Sequence, residues 1–154
     1  MFLLLGNIFV GTFNMKNTFA ENTDIAVKLM TPILHKELSY RIVGCAQRVH
    51  SVLGPGFPEQ VYHRALCLEL TKEKIPFASE VEYGVVYEGV SCGTFRADIV
   101  VDGKIILEPK AIEMIVAVHA AQVLSYLKAS GLSLGILMNF SDTRLQTKRI
   151  VSTL

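Results

Sequence analysis

Residues 95–110 read FRADIVVDGKIILEPK. Two apolar runs flank Asp102-Gly103, a strong short-range signal for a β-hairpin. Asp98 stands within the first run, and Glu108 and Lys110 close the second, at positions where a buried strand would carry Val or Ile. Whether the two carboxylates meet depends on the loop. A two-residue Asp102-Gly103 turn pairs Val101 with Lys104 and Asp98 with Leu107, and Glu108 then points to the opposite face. A three-residue loop of Val101, Asp102 and Gly103 pairs Val100 with Lys104 and Asp98 with Ile106. Because side chains alternate with period two, Asp98, Glu108 and Lys110 then share one face. Both loops fit the sequence. Glycine at the last loop position suits the left-handed conformation of a bulged three-residue hairpin, so we expect an odd loop with Gly103 at positive φ.

Outward from the hairpin, the elements alternate in type. SYRIVGCAQRVHSVL (39–53) has helical spacing, with Ser39 as the expected N-cap, and GPG (54–56) stops it. A second helix runs over about 58–74, with Pro58 in its first turn and Pro76 beyond its end. Strands are expected over 77–89, 91–101 and 104–110, a helix over 116–130 ending near Gly131, and strands over 134–140 and 145–151. The order α-α-β-β-β-α-β-β, with strands on both sides of a crossover helix, gives an α/β or α+β sheet covered by helices.

Composition narrows the class. The chain has 154 residues, 51% of them hydrophobic and 19% charged, which is globular rather than disordered. Fifteen basic against fourteen acidic residues give a net charge of +1, which makes no case for a broadly basic nucleic-acid binder. Cys45, Cys67 and Cys92 show no CxxC spacing. They read as reduced, buried thiols of a cytoplasmic protein and argue against zinc. The apolar stretch MFLLLGNIFVGTF (1–13) is too short to span a bilayer and lacks the basic start of a signal peptide. Residues 1–30 therefore read as an appendage. Either translation truly begins at Met15 or Met30, or the segment is a weak membrane-surface anchor.

Two neighbouring carboxylates repel unless a cation sits between them. Hard oxygen ligands suit Mg²⁺ or Mn²⁺, and a nearby lysine can orient a water or stabilise developing negative charge. Charged residues at strand ends are also, and more often, simply solvated. GFPEQVY (56–62) puts Glu59 in a first helical turn with Tyr62 at i+3 on the same face; such an acid either complements the helix dipole or serves a site. HAAQVLSY (119–126) lines His119, Gln122 and Tyr126 along one helical stripe, as boundary residues or as substrate contacts.

GPGFPEQVY resembles the signature of the GxxExxY proteins, through Gly56, Glu59 and Tyr62. The likeness continues in FRADIVV, in Glu108 and Lys110, in VHAAQVLSYLKASGL, and in LMNF and TKRIV, covering about residues 38–154. That family is placed among PD-(D/E)XK nuclease-like proteins. The resemblance implies a restriction-endonuclease-like mixed sheet flanked by helices. It implies that Asp98, Glu108 and Lys110 are the D…E-x-K core, that Glu59 completes a Mg²⁺ or Mn²⁺ site with Asp98 and Glu108, and that Gln122 and Tyr126 form a Q-x-x-x-Y motif. The implied activity is metal-dependent hydrolysis of phosphodiester bonds in DNA or RNA. The alternative is a module that kept the fold without catalysis and binds nucleic acid or a protein partner. One residue departs from the pattern: Pro109 stands where relatives carry an apolar residue such as Leu. Proline lacks a ladder donor and is poorly tolerated in a central strand, so a distorted site is expected there.

Overall fold

In the computed structural model, which describes residues 33–153, the Asp102-Gly103 turn joins the second and third strands of a five-stranded sheet. The elements are α1 (Lys36–Leu53), α2 (Glu59–Lys72), β1 (Phe77–Tyr87), β2 (Val90–Val101), β3 (Ile105–Lys110), α3 (Ala117–Ser130), β4 (Leu134–Asn139) and β5 (Gln146–Val151). Both the expected order and the mixed α+β class hold. The sheet order is β1-β2-β3-β4-β5. All neighbours are antiparallel except β3 and β4, which α3 connects in parallel. The appendage expected over residues 1–30 lies outside the described residues.

The loop is odd, as expected, but the register differs from the expected one. Val101 pairs with Ile105 and Ile99 with Leu107, so Asp98 comes opposite Glu108 and not Ile106. The turn itself explains the shift. Asp102 and Gly103 are both left-handed, at φ 52° and 60°, and the Lys104 N–H donates to the Val101 carbonyl at 2.9 Å. That is a two-residue turn of the primed kind. Lys104 then stays outside the ladder as the extra residue that makes the loop odd.

The sheet separates two apolar layers. On one face α1 and α2 pack Ile42, Val49, Leu66 and Leu70 against Ile99, Ile105, Leu107 and Ile136. On the other face α3 packs Val123 and Leu127 against Val100, Ile106 and Leu137. β4 is buried along its whole length, as the unbroken apolar run 134–140 implies for a strand covered on both faces. α3 lies very close to it: a methyl group on Gly135 would overlap Val123 Cγ1 and touch Leu127 Cδ1. Both partners are fully buried, and Val123 is stiff at χ1. Gly135→Ala is therefore expected to lower stability by about 1–3 kcal/mol, measured as a lower urea midpoint at unchanged slope. An unchanged midpoint would mean that α3 can move away from the sheet at little cost.

Two further expectations need correction. Ser39 is not the N-cap of α1. The helix starts one turn earlier, after a left-handed His35 (φ 50°). Ser39 is buried inside it, where its hydroxyl accepts a bond from Arg149 Nη1 at 2.6 Å. The helix is thus extended at its N-terminus past the local start signal. Pro109 does not distort β3: the ladder to β4 runs unbroken through Glu108–Leu137, Pro109–Met138 and Lys110–Asn139. The Lys110 carbonyl accepts from Phe140 N on the β4 side. Backbone groups alternate in direction along a strand, so those of Pro109 face β2. The β2–β3 ladder has already ended there, at Ile99–Leu107, and the missing N–H leaves no gap.

Candidate active site

The end of the β2–β3 ladder creates the site. Beyond Ile99 and Leu107 the ladder stops; the next residues on the two strands are Asp98 and Glu108, near enough for the charge of one to act on the other. Glu108 is 3% exposed, the one buried charged residue among the described residues. Its Oε1 accepts from Lys110 Nζ at 2.8 Å. Its Oε2 is buried and has no hydrogen-bond partner. An unpaired carboxylate oxygen in a protein interior is costly.

Electrostatics follow from burial. Burial raises the proton affinity of Asp98; Lys110 and His63 oppose this, while Glu59 and Glu80 add to it. Burial and then the Asp98 charge hold Glu108 above the ordinary carboxylate range, against the pull of Lys110. Burial alone would pull Lys110 down, but its bond to Glu108 and the surrounding carboxylates override that and hold it above the usual lysine value. The ammonium is thus kept charged by three acids.

Helix α2 supplies the opposite wall. Pro58, in extended conformation, precedes the first helical residue, Glu59. The Glu59 carboxylate accepts weakly from Ala111 N at 3.4 Å and stands 3.8 Å from Lys110 Nζ. A cleft of about 230 Å³ opens between the elements, lined by Glu59, Gln60, His63, Glu80, Asp98 and Pro109. One turn after Glu59, His63 Nε2 lies 3.1 Å from the Asp98 carbonyl and 3.1 Å from Ser79 Oγ. It ties α2 to the strand at Asp98 itself. Sequence reasoning missed His63, although its i+4 spacing from Glu59 marks the shared face. It also missed Glu80, which carries no such signal, and Asn139. Asn139 is fully buried and bonds Ile112 through both ends of its amide, at 2.8 and 3.1 Å, which fixes the chain leaving Lys110.

The other sequence candidates divide. Tyr62 does not share the Glu59 face. It is buried, stacks on Phe140 at 4.6 Å, donates to the Gly54 carbonyl at 2.7 Å and accepts from Phe57 N at 3.1 Å. With Gly56 at φ 107°, it fixes the loop that aims Glu59. Gln122 Nε2 donates to Tyr126 Oη at 2.7 Å, and Tyr126 stacks on Phe95 at 4.3 Å. Burial raises the proton affinity of the Tyr126 phenol, and the Glu108 charge adds to the effect, so Tyr126 lies within reach of the site's field. His119 Nδ1 accepts from Val116 N at 3.1 Å and so caps α3.

Among the described residues, no three His, Cys, Asp or Glu side chains stand as a ready metal cluster. The donors nevertheless fit a hard cation. Asp98, Glu108 and Glu59 offer only oxygen, and the unpartnered Glu108 Oε2 is an acceptor with nothing to accept.

The model of the PD-(D/E)XK nuclease superfamily matches residues 36–150. No curated protein matches the chain. Among solved structures, the crystal structure of SSO0001 is similar in fold, with a TM-score of 0.50 and 22% identity over 62% of this chain. The match covers 50% of that longer protein. Sheet order, the place of Asp98 and Glu108 where the ladder stops, and the extent of the family match agree: the chain belongs to the PD-(D/E)XK nuclease superfamily.

Proposed function

We propose that this chain is a metal-dependent nuclease of the GxxExxY type that hydrolyses phosphodiester bonds in DNA or RNA. The observation that carries the reading is the buried Glu108, paired through one oxygen with Lys110, unpartnered at the other, and within the field of Asp98 where the ladder stops. A strand pair with no chemistry to perform gains nothing from two carboxylates at the end of its ladder. Asp98, Glu108 and Glu59 are the residues that would hold Mg²⁺ or Mn²⁺. Such an ion lowers the pKa of a bound water and polarises a phosphoryl oxygen. Lys110, kept charged, offsets negative charge developing on the phosphate. Gln122 and Tyr126 are assigned to substrate contact. One water is consumed and one P–O ester bond broken, leaving a phosphomonoester and a hydroxyl.

The alternative of a non-catalytic module drew on Pro109, and that support is gone, since the proline is seated without a break. Its remaining support is the near-neutral charge. The cytoplasmic location is part of the same proposal and rests on the cysteine spacing alone. No described helix is long and apolar enough to cross a membrane. The three cysteines are not all buried as expected: Cys45 is buried, Cys67 is half-buried, and Cys92 is exposed on β2. The domain is assigned to residues 38–154. The test is release of labelled nucleotides from single- and double-stranded DNA and RNA with Mg²⁺ or Mn²⁺. Cleavage that chelation stops supports the reading. Absence of cleavage on every substrate, with no Mn²⁺ heat by calorimetry, leaves the binding module.

A further inference from the structure

Glu80 faces Asp98 across the β1–β2 ladder, and the ladder skips this one position: Ser79 pairs with Ile99 and Val81 with Ala97. The backbone of Glu80 is left-handed, at φ 55°. This conformation reverses the side-chain sense of the strand. Phe77 packs with the α1 and α2 layer, whereas Val81, which strict alternation would put on the same face, packs with the α3 layer. β2 reverses alongside, between Ala97 and Ile99. The fold thus needs a left-handed residue here, and glycine or asparagine would adopt that conformation at lower cost. Glutamate is a poor choice on backbone grounds. Its side chain also brings no compensating packing: it is exposed, and among the described residues it makes no hydrogen bond or ion pair. What it does is line the cleft with Asp98, Glu59 and His63.

A second, independent feature points to a ligand in the same place. Glu108 is 3% exposed and its Oε2 lacks any partner, and the Asp98 charge acts on it. Glu108 is not itself in the cleft lining, but Asp98, whose charge acts on it, lines the cleft together with Glu80. Mg²⁺ dehydrates reluctantly and keeps several waters, so a carboxylate too far away to bind the ion directly still acts through them.

We propose that Glu80 is a positioning residue of this site, its carboxylate accepting a hydrogen bond from a water carried by a divalent cation on Asp98 and Glu108. The inference rests on the metal-site reading above and extends it to a residue outside the D…E-x-K set. It explains why a strained, solvent-facing position opposite Asp98 carries an acid.

The test uses the full chain and Mn²⁺ as the probe, with calorimetric titration of wild type, Glu80→Gln, Glu80→Gly, Glu80→Asp and Asp98→Asn, and thermal melting of each without metal. Outer-sphere partners typically change metal affinity by about 10–100-fold. Glu80→Gln and Glu80→Gly are expected to weaken Mn²⁺ binding by about 10-fold each, and Glu80→Asp to recover part of it. Without metal, Glu80→Gly is expected to melt no lower than wild type, because glycine suits the left-handed backbone. Loss of affinity together with a lower metal-free melting point in both Gln and Gly variants would assign Glu80 a structural role and overturn the proposal. Unchanged affinity in both variants, with Asp98→Asn binding no Mn²⁺, would also overturn it while leaving the metal-site reading intact. A wild type that binds no Mn²⁺ would remove both.

Discussion

Asp98→Asn is expected to reduce divalent-dependent cleavage by at least about 10³-fold while leaving the fold intact. A bound cation contributes several kcal/mol to stabilising a phosphoryl transition state, and each 1.4 kcal/mol is a factor of ten. The amide keeps the shape and volume of the side chain, so packing is preserved, but loses the charge that would hold the ion. Stability without metal should change in the opposite direction. Burial, with Glu59 and Glu80 adding to it, raises the proton affinity of Asp98 against Lys110 and His63, so the folded state binds more protons than the unfolded chain. Stability from this group is then complete below the ordinary carboxylate range of about 4 and is lost as pH rises through the raised folded value. Asparagine does not titrate and also relieves Glu108. The melting points of variant and wild type should therefore lie close together in acid, and the variant should melt higher at neutral pH. A variant that cuts at the wild-type rate, or that melts lower than wild type at pH 7, would remove Asp98 from the site as described.

The period-two pattern made much of this legible. It called the hairpin, and Gly103 at the end of the loop called the odd loop with a left-handed glycine, which the structure has. It did not give the register. The Asp-Gly turn closes with two residues, and Lys104 is then left over, a division of labour between turn and bulge that the residue types do not encode. Ser39 was misplaced because a local rule set it at a cap, whereas the helix starts a turn earlier and a long-range partner, Arg149, takes its hydroxyl. Pro109 was read against an idealised central strand, whereas β3 is paired on only one side at that point. Glu80 was invisible because a left-handed glutamate within a strand has no compositional mark; only the skipped pair and the reversed faces disclose it.

Lys110→Met is expected to destabilise the metal-free protein by about 3 kcal/mol at neutral pH, the scale for removing one partner of a buried ion pair. Methionine preserves most of the stem's volume, so the loss comes from charge. Glu108, 3% exposed, then has both oxygens without a donor, with Asp98 and Glu59 acting on it. The group escapes by keeping its proton. Burial and Asp98 already hold its proton affinity above the ordinary range, and loss of the lysine removes the main opposing influence. With the folded value raised further, stability is retained in acid and falls as pH rises from about 4 through the new folded value. The deficit relative to wild type should thus be small near pH 4 and grow toward pH 7, a slope that loss of packing does not produce. Lys110→Met/Glu108→Gln should recover most of the stability, because the second change removes the stranded charge, and the double-mutant cycle then reports the pair's coupling. A deficit independent of pH and additive in the double variant would mean that the Lys110 stem, and not its ammonium, supports the end of the ladder.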